Sequence, residues 1–243
     1  MSYDCYDDFA FFYNKYWTFS MPYALEKVLK KILFPVLPKR ASVIDLCCGT
    51  GNMADIISKY GFNVYGVDGS LAMLAYAKIN APKVEFIHQD IRNLDIKERF
   101  DCSTCLFDSI NHIIEPEDVI KTFSNVYNIL KDKGVFIFDV NSETAVQKSA
   151  EKEFHAVDKD DVCICNASYD MKDRMTTFYI TTFLLDNGVW NRSDIKILEK
   201  YYSNQEIVSM LHASGFSKVT IYDGCIDLNI KFLKERNFFM AEK

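Results

Sequence analysis

The sequence predicts an α/β protein: a doubly wound sheet of mostly parallel strands with an antiparallel final strand, plus an inserted small antiparallel β-sheet. Three observations predict it. Between Ser42 and Asn141 short, partly β-branched runs alternate with helix-like runs, the pattern of a parallel sheet with crossover helices. The turn Gly49-Thr50-Gly51 follows the first of those runs and opens a helix, where glycines allow backbone and ligand to approach closely. Finally, the 61 residues 142–202 stand where a crossover would need only a few, and they hold a hairpin signal at Asn187-Gly188.

In chain order, residues 1–40 begin with a dense aromatic run that includes Tyr3, Tyr6, Phe9, Phe12, Tyr13, Tyr16 and Trp17, then continue through ALEKVLKKIL with helical spacing. Two helices are expected, a cap that ends at Pro35 and Pro38. The strand-like VIDL, FNVYGVD, VEFIHQD, DCSTCLFD and GVFIFDVN are separated by the helix-like MADIISKY, SLAMLAYAKI and EPEDVIKTFSNVYNIL. Right-handed crossovers make such a sheet doubly wound. Within the insert, EFHAVD, DVCICNASY, RMTTFYITTFLLD and VWNRSDIKILEKYY read as strands. The parent pattern returns with a helix at 203–213, the strand KVTIYD and a last strand around NFFMAE, paired as an antiparallel hairpin at the sheet edge. The expected division is a helical cap 1–40, a doubly wound α/β domain 41–141 and 203–243, and a β lid 142–202.

Composition narrows the function. Hydrophobic residues make up 49% and charged residues 26% of the 243 positions, which supports a packed core and argues against disorder or coiled coil. The net charge of −6, with no basic cluster, excludes capture of nucleic acid through a lysine- and arginine-lined face. Apolar runs are far too short for a membrane helix. The eight cysteines are diluted and follow no leader-like start, so a reduced, cytoplasmic protein, monomer or homodimer, is expected.

The sharpest motif is Val43-Ile44-Asp45-Leu46-Cys47-Cys48-Gly49-Thr50-Gly51-Asn52. A helix N-terminus there offers backbone donors to a ligand. Asp68, seventeen residues after Gly51, ends the second strand, where a carboxylate can accept from both hydroxyls of a ribose. An adenosine-containing ligand is implied. Two classes use this geometry. Gly49 to Ala54 formally matches the dinucleotide fingerprint G-x-G-x-x-A, which favours an NAD(P)-dependent oxidoreductase. However, Asp45 is a poor neighbour for a pyrophosphate and a good one for the ammonium end of a methionine moiety.

At this point the sequence resembles the class I S-adenosylmethionine-dependent methyltransferases, through D-x-x-x-G-x-G-N, the GVDGS around Asp68, and His88-Gln89-Asp90-Ile91. The resemblance implies a Rossmann-like fold and S-adenosylmethionine as cofactor. It implies that Asp45, Cys47, Gly49, Gly51 and Asn52 line the donor through the glycine loop, with Asp68 on the ribose and Gly69, Ser70 and Met73 flanking the adenine. Gln89, Asp90 and Ile91 would meet the other edge of the base. Phe100 to Ile113 resembles the fourth strand and following loop of the small-molecule members, whose end faces the methyl group and brings Phe107 to the donor. No Asn/Asp-Pro-Pro-Tyr/Phe stands after Leu106, which argues against methylation of a base.

The activated methyl needs a nucleophile held in line, water excluded and one proton managed, with no metal required. His112 and Asp108 are the candidate bases; the bland reading of His112 is a ring that bonds a backbone carbonyl. Tyr13 is a candidate donor contact, and Trp17 a weaker one, although aromatics at helical spacing also serve as packing. Tyr179, Trp190, Tyr201 and Tyr202 have packing as their default. Cys102-x-x-Cys105 and Cys163-x-Cys165 lie in expected strands rather than in knuckle loops, so they read as buried thiols. His88, His155 and His212 suggest no ligand cluster. The expected activity is therefore methyl transfer from S-adenosylmethionine to nitrogen or oxygen of a small-molecule acceptor. The alternatives are the oxidoreductase and a non-catalytic protein that binds the adenosyl ligand.

Overall fold

The computed structural model describes residues 4–150 and 153–243, so Tyr3 of the aromatic run lies outside the described residues, as do the insert's residues 151–152. Seven strands form one sheet in the order β10-β11-β5-β4-β1-β2-β3. These are β1 (Ser42–Leu46), β2 (Asn63–Asp68), β3 (Glu85–His88), β4 (Phe100–Cys105), β5 (Leu130–Asn141), β10 (Lys218–Asp223) and β11 (Arg236–Glu242). Pairs among β1 to β5 are parallel, and β11 runs antiparallel to both β5 and β10. The last strand is therefore antiparallel, as expected, and it sits between its hairpin partner, which forms the edge, and β5.

Both faces of this sheet are covered, so apolar side chains line both sides of its central strands, with Asp45 of β1, Thr104 of β4 and Asp139 of β5 as buried polar exceptions. Along β5, Phe136 and Phe138 point to one side, where they join Phe123 of α5 (Pro116–Ile129) and Phe216 beyond α7 (Asn204–Ala213). Ile137 points to the other, toward Leu25 and Leu29 of α2 (Met21–Ile32) and Ile57 of α3 (Asn52–Lys59). Helix starts carry their own chemistry. Ser70 accepts from the Met73 N–H to cap α4 (Leu71–Asn80), and Ser203 with Glu206 forms a capping box on α7.

Residues 154–200 form a second, antiparallel sheet in the order β6-β7-β8-β9: Phe154–Val157, Asp161–Asp170, Met175–Asp186 and Val189–Lys200. Asn187 and Gly188 take positive φ of 50° and 79° between β8 and β9, which is what a two-residue hairpin turn demands. The N-terminal helix α1 (Asp4–Phe12) lays Phe9 and Phe12 on the inner face of this sheet, against Cys163, Cys165, Ile180, Ile195 and Ile197. The chain then continues through a π-helical turn, Tyr13–Trp17, from which Lys15 reaches Asp158 and Asp161 at 2.7 and 2.6 Å. Helix α6 (Glu143–Ser149), which the sequence reading did not anticipate, leaves β5 with Ser142 as its cap.

Candidate active site

A cavity of about 450 Å³ opens at the C-terminal ends of β1, β2 and β4, roofed by α1 and flanked by the short helical turn Ser109–His112. The glycine loop reaches it because the backbone there takes left-handed conformations. Cys47, Gly49 and Gly51 have φ of 51°, 52° and 81°. A Cβ on Gly51 would stand 3.0 Å from Cα and Cβ of Ala77, so close packing on α4, as well as φ, requires glycine.

Asp68 organises this loop. Its Oδ2 accepts from the Gly49 N–H at 2.8 Å and its Oδ1 from the Ser70 N–H at 2.9 Å. Burial raises its carboxyl above the usual range, and these N–H donors pull it back. Each oxygen keeps a lone pair for a further donor. Asp45 lies deeper, 2% exposed. Its Oδ1 accepts from the Thr104 hydroxyl at 2.6 Å, while Oδ2 has no partner. Burial, only partly offset by Thr104, pushes this carboxyl up to about 7. Asp45 and Asn52 line a smaller recess that shares Tyr13, Cys47 and Phe107 with the main cavity. An orphaned carboxylate oxygen beside a recess is short of a donor, and an ammonium group would supply it.

The opposite wall carries a buried polar network. Phe107 and Asp108 both take positive φ, 62° and 49°, in a turn held where the Asp108 N–H donates to Asp139 Oδ2 at 3.0 Å. Arg236 of β11 donates to Asp108 Oδ1 at 3.0 Å and also to Asp139. Asn141 donates to Asp108 Oδ2 and, at 3.3 Å, to Glu199 Oε2. The acceptor and donor atoms of Asp108, His112 and Glu199 all lie within 4.8 Å of one another. Burial works to raise Asp108, but Arg236, His112 and Asn141 outweigh it and hold the carboxyl below its usual range. Burial and the charge on Asp108 drive Glu199 well up, and burial pushes His112 down. Three carboxyl groups therefore share one guanidinium and an imidazole biased to neutrality.

A family profile described as a methyltransferase domain matches residues 43–134. A methyltransferase of Geobacillus sp. (strain WCH70) is 30% identical over 246 residues, covering 98% of this chain and 99% of that one. The chain belongs to the class I S-adenosylmethionine-dependent methyltransferases. The crystal structure of an S-adenosylmethionine-dependent methyltransferase from Clostridium acetobutylicum ATCC 824 matches this methyltransferase with a TM-score of 0.79 and 28% identity, covering 98% of each chain. The glycine/sarcosine N-methyltransferase of Aphanothece halophytica is 28% identical over 189 residues, 74% of this chain and 68% of that one. Family membership sets aside the oxidoreductase alternative, which rested on glycine spacing alone.

Of the residues singled out in the sequence, the methyltransferase brings Tyr13, Cys47, Gly49, Asp68, Gly69, Met73, Ile91, Phe107 and His112 to the main cavity, and Asp45 and Asn52 to the recess. Gly51, Ser70, Gln89, Asp90 and Asp108 stand behind these walls. Ser70 caps α4 and bonds Asp7 of α1, Gln89 accepts from the Asp95 N–H, and Asp90 engages the guanidinium of Arg92, itself a wall residue. Tyr179 and Trp190 are exposed on the inserted sheet, whereas Tyr202 is buried and donates to the carbonyls of Ile113 and Ile114. The eight cysteines are free thiols; those of the two spaced pairs are buried in β4 and β7. Sequence reasoning missed Tyr6, Arg92, Glu115 and Asp118 on the cavity wall, and Glu199 and Arg236 in the network beneath it. Among the described residues no helix is long and apolar enough to cross a membrane.

Proposed function

We propose that this enzyme transfers the methyl group of S-adenosylmethionine to the nitrogen of a small-molecule amine. The single observation that carries the choice of nitrogen over oxygen is the surplus of carboxyl groups in the buried network behind the His112 wall of the cavity. Asp108, Asp139 and Glu199 face only one permanent cation, Arg236, so a cationic guest is favoured there and an anionic one disfavoured. The glycine/sarcosine N-methyltransferase relative, by its name, acts on nitrogen, which is consistent with this reading.

The orphaned Oδ2 of Asp45 is the observation by which the donor site fits the cofactor's ammonium end. Asp68 would hold the ribose hydroxyls, Gly69, Met73 and Ile91 would enclose the adenine, and Tyr13 would cover the junction between recess and cavity. Bound S-adenosylmethionine supplies a methyl group already activated by its sulfonium. The chain's own tasks are then to orient the acceptor, to shed water beneath α1, and to accept a proton at Nε2 of His112.

Supply of S-adenosylmethionine with a panel of primary and secondary amines, and with matched alcohols, tests the reading. S-adenosylhomocysteine should accumulate with amines. Accumulation with alcohols alone would overturn the choice of nitrogen, and no accumulation with any acceptor would favour a protein that binds the ligand without turnover.

A further inference from the structure

We propose that Glu199, on the strand that ends the inserted sheet, is the positioning residue of the acceptor-side base: it stabilises the imidazolium formed when Nε2 of His112 takes a proton from an acceptor's ammonium group. This rests on the reading of the cavity as an amine-methylating site.

The geometry turns on two consecutive residues of β9. Nδ1 of His112 lies 3.1 Å from the carbonyl oxygen of Leu198, and a carbonyl can only accept, so Nδ1 carries the proton and Nε2 the lone pair. Nε2 in turn lies 3.6 Å from Glu199 Oε1. One strand thus fixes the tautomer through its backbone and sets an acid beside the basic nitrogen through the next side chain. Glu199 is 6% exposed, and its second oxygen is held by Asn141 at 3.3 Å. Its registered neighbour on β8 is the buried Thr176, so the carboxyl stands on the inner face of the insert.

The groups that act on this pair come from every element around it. Tyr6 of α1 stands edge-on to the His112 ring at 5.9 Å and feels the Glu199 charge. Cys165 of β7 is a neutral thiol raised by burial and by Glu199. Asp108 disfavours a second negative charge, and Arg236 of β11 favours it. With no guest, burial leaves Glu199 protonated well above the usual carboxyl range. A cation entering the cavity reverses that balance, and Glu199 releases its proton to water. The N–H bond of the acceptor ammonium then breaks, its electron pair stays on nitrogen as the nucleophile, and the proton passes to Nε2. The resulting imidazolium faces the Glu199 carboxylate.

The test is a pH titration by NMR of protein labelled with ¹⁵N-histidine and ¹³C-glutamate, with and without S-adenosylhomocysteine. The chain has four histidines, and H112Q assigns the signal. In the wild type the His112 ring nitrogens should report a proton on Nδ1 and should change over the same pH range as the Glu199 carboxyl. With methylammonium chloride present, E199Q should keep the tautomer while its His112 midpoint lies about one pH unit below that of the wild type, the effect of losing the negative charge Glu199 carries once a cation is bound. Methylammonium chloride, added as a probe, should lower the Glu199 midpoint. Independent titrations of the two residues in the wild type, an unchanged His112 midpoint in a folded E199Q with methylammonium present, or no response to methylammonium would each overturn the proposal. The titration needs no turnover, so a failed acceptor screen or a failure to bind S-adenosylhomocysteine counts against the amine-methylation reading, and the behaviour of the pair is read separately.

Discussion

Replacing Asp45 by asparagine separates what this carboxyl does for a ligand from what it does to the empty fold. Buried with one oxygen unpartnered, Asp45 loses its proton near pH 7 rather than at the ordinary 3.8, a difference of about 3 pH units. At 1.36 kcal/mol for each unit, holding it ionised weakens the empty fold by roughly 4 kcal/mol. The sign follows from proton linkage. The folded state binds this proton more tightly than the unfolded chain does, so the stabilisation is complete below about pH 4 and is lost as pH rises through about 7. Asparagine has no such proton and can still accept from Thr104. Urea unfolding of wild type and D45N across this range should therefore show their difference in stability moving toward the variant by up to about 4 kcal/mol as pH rises. Calorimetry above about pH 7 should show D45N binding S-adenosylhomocysteine more weakly by about 1.5–3 kcal/mol, the worth of a hydrogen bond to a charged group. A stability difference that does not change with pH would refute the reasoning, as would undiminished affinity.

Three further outcomes follow from the same geometry. Asp68→Ala removes the acceptor of the Gly49 and Ser70 N–H groups as well as the expected ribose contact, so affinity for S-adenosylhomocysteine should fall by about 1–3 kcal/mol in calorimetry. Gly51→Ala meets both a φ of 81° and an approach of 3.0 Å to Ala77, and thermal unfolding should reveal a loss of at least about 1 kcal/mol; an unchanged melting temperature would contradict the packing argument. Arg236→Met leaves Asp108 and Asp139 buried without their cation, which should remove about 3–5 kcal/mol in urea unfolding near neutral pH, and less in acid where the carboxyls are protonated.

The parent fold was legible because its signals are local. The alternation from VIDL to GVFIFDVN gives β1 to β5 with their helices, and Asn187-Gly188 gives the hairpin of the insert, since a turn with two positive φ angles selects those residues. The glycine-loop wall of the cavity was legible for the same reason, because Asp45, Gly49 and Asp68 sit at fixed offsets from strand ends. Helix α6 was obscured by its brevity, although Ser142 before Glu143 and the Ala145 N–H it caps was a usable start signal. The opposite wall was largely illegible. Glu199 lies 87 positions from His112 in a strand whose neighbours Lys196 and Lys200 are also charged, so alternation could mark its face while nothing in the sequence named its partner. Arg236 looks like the polar start of an edge strand until β11 is seen lying beside β5, where it meets Asp108 and Asp139. Buried charges of this kind are defined by the topology that pairs them.

Calorimetric titration of the wild type with S-adenosylhomocysteine near pH 6, in two buffers of different ionisation enthalpy, tests whether the paired cavity and recess hold S-adenosylmethionine with an ionised Asp45 at its ammonium end. Binding at one site with net release of a proton is predicted, because Asp45 is largely protonated there before the ligand arrives. Saturable binding with no proton released, or no binding up to about millimolar concentration, would contradict it.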